Sequence, residues 1–300
     1  MVNYYSLQSA DPIVNIENDV SGVVTIEDPY LNKTEDIKID SHLLEDGSGV
    51  IVTPDGYIIT AFHVISDPQS ENNHKILRKM NNNDIKTYLE QEAVQDYLSQ
   101  YNSQLGSELV NNSNLNKNTS ILAKLLVQKN LISVKSGEQV IKVDIRSFIR
   151  VASFNAQLVD VGNSASDDDV ALLKINTDEN LPYLNISSQT PAMGENIRMY
   201  GYPDNKLKSL FIIPSVATGQ LIDTMPNSLG TIYYETNATA APGYSGGPVL
   251  NSQNKVIGIL IYGIGSKYSN NPSDLVNSLF LSSKYIIQIC KKNNVPITIV

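Results

Sequence analysis

The string Ala241-Pro242-Gly243-Tyr244-Ser245-Gly246-Gly247-Pro248 sets one hydroxyl inside a loop rich in glycine and proline. Such a string can be no more than a turn between two strands. It can also present a serine nucleophile, with the backbone N–H groups of Gly243 and Ser245 converging on an oxyanion. Glycine at 243 lets the local peptide orient without a Cβ clash. A phosphate-cradling loop is excluded, because no Gly-Lys-Ser/Thr follows.

A serine needs a base, and the three histidines are His42, His63 and His74, all upstream of Ser245. The Gly243-x-Ser245-x-Gly247 spacing also fits the nucleophile elbow of α/β-hydrolases, but that arrangement takes its histidine after the serine and leads into a helix. Gly246-Gly247-Pro248 is a poor helix start, so the elbow is rejected. His74 lies in an asparagine-rich stretch and His42 in a polar loop. His63 ends the apolar run Tyr57-Ile58-Ile59-Thr60-Ala61-Phe62. A lone histidine there is more often structural, but a serine loop downstream favours the catalytic reading. A base in turn needs a third group to orient it. Asp169 directly precedes the apolar run Val170 to Ile175 and is preferred as the acid drawn inward, against the blander reading of Asp167, Asp168 and Asp169 as acids of a solvated turn.

The elements that must position these groups are mostly short strands. Val23 to Ile26, Gly49 to Val52 and Tyr57 to Thr60 are β-rich runs, the last two joined through the turn Thr53-Pro54-Asp55-Gly56. Further runs cover Val140 to Ile145, Phe154 to Val161, Val170 to Ile175, Asn196 to Tyr200, Phe211 to Ile222, Thr231 to Glu235 and Val256 to Tyr262. This density of strands predicts an all-β barrel or sandwich. Between Ser66 and Gly137 the pattern breaks. Asparagines crowd in, and Ile85, Leu89, Val94, Tyr97, Leu98, Tyr101, Leu105 and Leu109 recur at helical spacing. Ser120 is placed to cap a second helix carrying Ile121, Leu122, Leu125 and Leu126. Residues 66–137 therefore read as a helical, Asn-rich insertion. A last helix runs from Ser283 to Lys292, with serine at its start and lysines at its end.

Composition narrows the function classes. Three hundred residues with 41% hydrophobic and 18% charged side chains make a globular chain able to bury its own core. Lys+Arg 22 against Asp+Glu 31 gives net charge −9, a poor basis for binding nucleic acid. Cys290 is the single cysteine, which forbids an intrachain disulfide and a cysteine metal cage. The histidines lack metal-ligand spacing and Asp167-Asp168-Asp169 does not match a calcium loop, so neither a metal nor a cofactor is expected. No apolar run approaches the roughly 20 residues of a membrane-spanning helix. Met1 to Ala10 carries no basic segment followed by an apolar one. A cytoplasmic location is therefore expected, unless the amino terminus is processed or truncated.

Taken together, three segments resemble the HtrA/Deg-type serine proteases of the trypsin-like superfamily. Gly47 through Val64 is similar to their histidine region. Ala156 to Val161 followed by Asp169 to Ile175 is similar to their aspartate region. Gly243 to Pro248 followed by Val256 to Ile259 is similar to their serine region. The resemblance implies two packed six-stranded β-barrels in a single protease domain spanning 1–300. It also implies hydrolysis of peptide bonds by a triad of His63 as general base, Asp169 as its orienter and Ser245 as nucleophile. The oxyanion hole would be made by the N–H groups of Gly243 and Ser245. Tyr244 stands where the digestive enzymes carry the aspartate that captures a newly cut amino terminus, so that mode of activation is not expected. Most HtrA-type proteins carry a PDZ domain after the protease. Here the residues after Ser245 are needed to finish the barrel and the last helix.

By the same resemblance the substrate pocket has Thr239 at its base and Ile261, Tyr262 and Gly263 as one wall. Thr239 offers no carboxylate for a basic side chain, and no histidine follows 74 to receive an acidic one. Small or medium apolar P1 residues fit best, and Gly263 can pair its backbone with the substrate as an added strand. A protein or peptide substrate is the expected partner. The insertion is expected to gate substrate entry or dock a partner protein, without taking part in bond cleavage. The alternative is a non-catalytic, protease-like binding module that uses the insertion for recognition.

Overall fold

The polypeptide is described by a computed structural model for residues 11–28, 32–66, 78–100, 115–147, 151–163, 166, 168–203, 214–265 and 275–300. Strands β1 (Ile13–Asp28), β2 (Lys33–Ile51), β3 (Tyr57–Thr60), β4 (Ile132–Arg146), β5 (Val151–Val161) and β6 (Ala171–Ile175) close into one barrel in the order β1-β2-β3-β6-β5-β4. Strands β7 (Asn196–Gly201), β8 (Ser215–Pro226), β9 (Ile232–Thr236), β10 (Pro248–Leu250), β11 (Val256–Gly265) and β12 (Leu275–Ser282) close a second, ordered β10-β11-β12-β9-β8-β7. The helices are α1 (Phe62–Ile65), α2 (Asn82–Gln100), α3 (Leu115–Gln128) and α4 (Ser283–Lys292). The all-β expectation of two six-stranded barrels with a helical hairpin and a C-terminal helix holds.

The chain divides into two compact units. The first holds Met1–Glu17, Glu45–Arg78 and Ile141–Val300. Its main core joins Val14, Ile16, Ile58, Ile59, Leu172 and Leu173 to Ile259, Ile261, Leu279, Leu281 and Ile286, all buried. Each such side chain contributes about 1.5–3 kcal/mol on leaving water. A second cluster fills the carboxy-terminal barrel around Phe280, whose ring stacks on Tyr234 at 5.4 Å.

The second unit holds Asn18–Leu44 and Lys79–Val140. Asn81 caps α2, its Oδ1 accepting from Asn83 N at 2.8 Å and Asp84 N at 3.2 Å. Asp84 Oδ2 accepts from Asn81 N at 2.8 Å in return. Ile85, Leu89, Val94 and Tyr97 of α2 are buried with Ala123 of α3 and with Val20, Val24, Ile26, Ile37 and Ile39 of β1 and β2. The Tyr97 hydroxyl donates to the buried carboxylate of Asp28 at 2.8 Å.

Several local expectations change. The helical stripe is covered by strands as well as by the other helix, so the unit is larger than residues 66–137 suggested. β4 starts at Ile132, which makes the tail of that segment strand, since Val140 to Ile145 is only its far end. α3 begins at Leu115, so Ser120 lies inside it and does not cap it. The Ser283 hydroxyl donates to Ser187 O at 2.7 Å instead of capping α4. His42 belongs to β2, not to a loop, and its Nδ1 sits 2.8 Å from Glu92 Oε2. His74, Tyr101, Leu105, Leu109, Asp167 and the Phe211 end of its strand lie outside the described residues.

Candidate active site

Sheet register brings the histidine and the acid together. β3 and β6 run antiparallel with Thr60 opposite Ala171, so the residues just after β3 emerge beside those just before β6. His63 sits on the single turn α1, and Asp169 is buried at 6% exposure. Asp169 Oδ2 lies 2.6 Å from His63 Nδ1, while its Oδ1 accepts the backbone N–H of His63 at 2.9 Å. One carboxylate thus fixes both the ring and the main chain of the histidine. With Oδ2 accepting at Nδ1, the proton sits there and the ring lone pair falls on Nε2.

Asp168 is engaged elsewhere. Its Oδ1 accepts from Thr231 Oγ1 at 2.7 Å, and the same hydroxyl lies 2.6 Å from Ser166 O. The two neighbouring acids therefore have different tasks, one on the histidine and one tying the aspartate loop to Thr231, the residue before β9.

The serine loop is built from two consecutive turns. Tyr244 N donates to Ala241 O at 3.2 Å across Pro242-Gly243, with Gly243 at φ 90°. Gly247 N donates to Tyr244 O at 2.9 Å across Ser245-Gly246, with Gly246 at φ 83°. Proline at the second position and glycine at the third is the signature of a type II turn, whose positive φ a Cβ would resist. A Cβ on Gly246 would also stand 2.2 Å from Thr60 Oγ1 and 2.3 Å from Ser48 O. Among the described residues, neither Gly243 N nor Ser245 N donates within the protein, which leaves both free for an oxyanion. The Ser245 hydroxyl donates to Ile261 O at 3.0 Å.

Tyr244 anchors the loop. Its ring is buried in the core of the second barrel, and burial pushes its hydroxyl above the ordinary tyrosine pKa against a hydrogen bond with Ser215. An apolar anchor thus occupies the position where a buried ion pair would need a charged amino terminus.

Of the pocket residues, Ile261 is buried, Tyr262 is half-exposed and Thr239 is exposed between buried Ala238 and Ala240. Ile261 falls where the β11–β12 register shifts between Leu260 and Tyr262. Two serines that the sequence did not single out join these parts. Ser278, the cross-strand partner of Gly263, donates to Ala238 O at 2.8 Å and accepts from Ala240 N at 3.0 Å. Ser48, fully buried, donates to Gly243 O at 2.7 Å. Gly47-Ser48-Gly49 stands at the start of the segment similar to the histidine region, but nothing in it marks the serine for a role. Among the described residues no group of three His, Cys, Asp or Glu side chains is placed to hold a metal ion. None of their helices is long and apolar enough to cross a membrane.

Part of the chain is similar to known peptidases. Residues 127–259 match the trypsin-like peptidase domain, a segment that includes Asp169, Gly243 and Ser245 and begins after His63. A protein of Rickettsia conorii named probable periplasmic serine endoprotease DegP-like is 28% identical over 174 residues, 56% of this chain and 33% of that protein. Its namesake in Rickettsia prowazekii is 30% identical over 113 residues, 37% of this chain and 22% of that protein. The chain thus spans a third or less of the length of the relatives it matches.

Proposed function

We propose that this chain, which carries a trypsin-like peptidase domain homologous to DegP-like serine endoproteases, is itself a serine endopeptidase working through His63, Asp169 and Ser245. The observation that carries the reading is the double hold of Asp169 on His63, at 2.6 Å on the ring and 2.9 Å on the backbone. In the proposed reaction Ser245 Oγ turns from the Ile261 carbonyl and attacks the substrate carbonyl carbon. His63 Nε2 takes the hydroxyl proton and returns it to the leaving amine. The Gly243 and Ser245 N–H groups receive the negative charge on the tetrahedral oxygen, where each preorganised donor is worth about 10²–10³ in rate. Water then hydrolyses the acyl-enzyme by the same route.

For the P1 side chain, the lack of a charge at Thr239 and the apolar Ile261 support small or medium apolar residues. Beyond Ile259, the edge of β11 away from β12 has no strand partner among the described residues, which supports pairing of substrate along Gly263. A peptide-library cleavage profile tests both points. Cleavage after alanine, valine or similar residues, absent in Ser245→Ala, is expected; cleavage confined to basic or acidic P1 residues overturns the pocket assignment.

One observation favours the alternative of a non-catalytic binding module: the Ser245 hydroxyl rests on the Ile261 carbonyl. That module would bind peptides from the library without cutting them. We place the recognition of folded substrates or a partner protein on the helical unit, supported by its own core and by exposed Ile121. Ile121→Asp should change cleavage of a folded protein and leave a short peptide unaffected. Equal rates on both substrates would refute this.

A further inference from the structure

Ser48 lies on β2 and makes four hydrogen bonds while fully buried. Its Oγ accepts from Tyr202 N at 2.8 Å and donates to Gly243 O at 2.7 Å. Its N–H donates to Ser245 O at 2.7 Å, and its own carbonyl accepts from Thr60 Oγ1 at 2.7 Å. The Tyr202 N–H occupies a lone pair of the hydroxyl, so the Ser48 proton is committed to Gly243. A single residue of the first barrel therefore grips two carbonyls of the serine loop.

The consequence falls on the peptide planes. The plane joining Gly243 to Tyr244 is held at its oxygen by Ser48 Oγ and at its nitrogen by Ala241 O. The plane joining Ser245 to Gly246 is held at its oxygen by Ser48 N and at its nitrogen by Leu260 O. Each held plane lies directly after one of the residues whose N–H would receive the oxyanion. The planes that carry the two N–H groups, Pro242–Gly243 and Tyr244–Ser245, each share a Cα with a held plane. The second is also held at Tyr244 O by Gly247 N, so the grip narrows the range of both N–H vectors. Tyr244 pins the loop into the second barrel, and Ser48 pins it from the first.

We infer that Ser48 is a positioning residue that presets the oxyanion hole, acting through Gly243 and Ser245 without touching substrate; this rests on the peptidase reading above. Removing its hydroxyl leaves the Gly243 carbonyl and the Tyr202 N–H without a buried partner. The Gly243–Tyr244 plane then keeps only its bond from Tyr244 N to Ala241 O and is held less tightly. Because oxyanion donors act on the transition state more than on the bound substrate, the loss belongs in kcat and not in KM.

The test compares wild type, Ser48→Ala and Ser48→Cys on the best short peptide of the library, with a peptide boronate of the same sequence as an oxyanion probe. For Ser48→Ala, kcat is expected to fall by about tenfold or more with KM nearly constant, and the boronate to bind weaker by a similar factor. Ser48→Cys, which keeps a weak donor in a similar volume, is expected to recover part of both. A Ser48→Ala kcat within about twofold of wild type, or a loss confined to KM with boronate binding intact, overturns the inference. If Ser48→Ala does not fold by near-UV circular dichroism, Ser48→Cys decides alone: kcat and boronate affinity must fall together, and unchanged values overturn it. A wild type that cleaves no peptide sinks the peptidase reading itself, whereas an active wild type with an equally active Ser48→Ala sinks only this inference.

Discussion

Asp169→Asn isolates the electrostatic role of the acid from its structural one, because the two oxygens of the carboxylate face different donors. Oδ1 accepts the backbone N–H of His63 at 2.9 Å, and that N–H can only donate. An asparagine at this position must therefore turn its amide oxygen toward the backbone. Its NH2 group then faces Nδ1, 2.6 Å from the present Oδ2, and forces Nδ1 to accept. The imidazole proton moves to Nε2, and the base is lost with almost no change in shape. A triad held in the wrong tautomer loses about 10⁴ in kcat, or about 5.5 kcal/mol at 1.36 kcal/mol per tenfold. The backbone bond survives, so folding should lose only about 1–2 kcal/mol from the weaker neutral pair. Steady-state kinetics on a short peptide, beside thermal unfolding of both proteins, measures the two effects separately. A kcat within tenfold of wild type would refute the reasoning, since it would mean that Asp169 does not set the tautomer of His63.

Gly246→Ala should abolish activity and lower stability by more than about 1–3 kcal/mol, because φ 83° and contacts of 2.2–2.3 Å leave no room for a methyl group; unfolding and peptide assays check it. Cys290 is fully buried and its thiol pKa is pushed up to about 12, so it should stay unalkylated by iodoacetamide at pH 8 until the protein is denatured. Leu89→Ala opens a cavity in the core of the second unit and should cost about 2–5 kcal/mol. Its rate on a short peptide should stay near wild type below the melting transition, because the proposed triad lies in the other unit.

How far the sequence reaches depends on whether a residue's partner is local. The serine loop is legible because Pro242-Gly243 and Gly246 dictate turns wherever they stand. The Asp169 assignment follows from its place before an apolar run that had to be interior. The second unit is only half legible. α2 shows its stripe, but Lys33 to Leu44 is rich in charged and polar residues with only Ile37 and Ile39 fully buried, Leu44 partly so, and it reads as loop until the helices that cover it are seen. Ser48 and Ser278 were invisible for another reason. Their partners lie 195 and about 40 residues away, and a small hydroxyl carries no periodic signal of a distant bond.

The most direct test of the account is covalent capture of the nucleophile. The purified protein is treated with a fluorophosphonate, its intact mass is read, and the modified peptide is sequenced. The account predicts one adduct per chain, located on Ser245, absent in Ser245→Ala and strongly slowed in Asp169→Asn. Equal labelling of wild type and Ser245→Ala, or an adduct on any other residue, would contradict it.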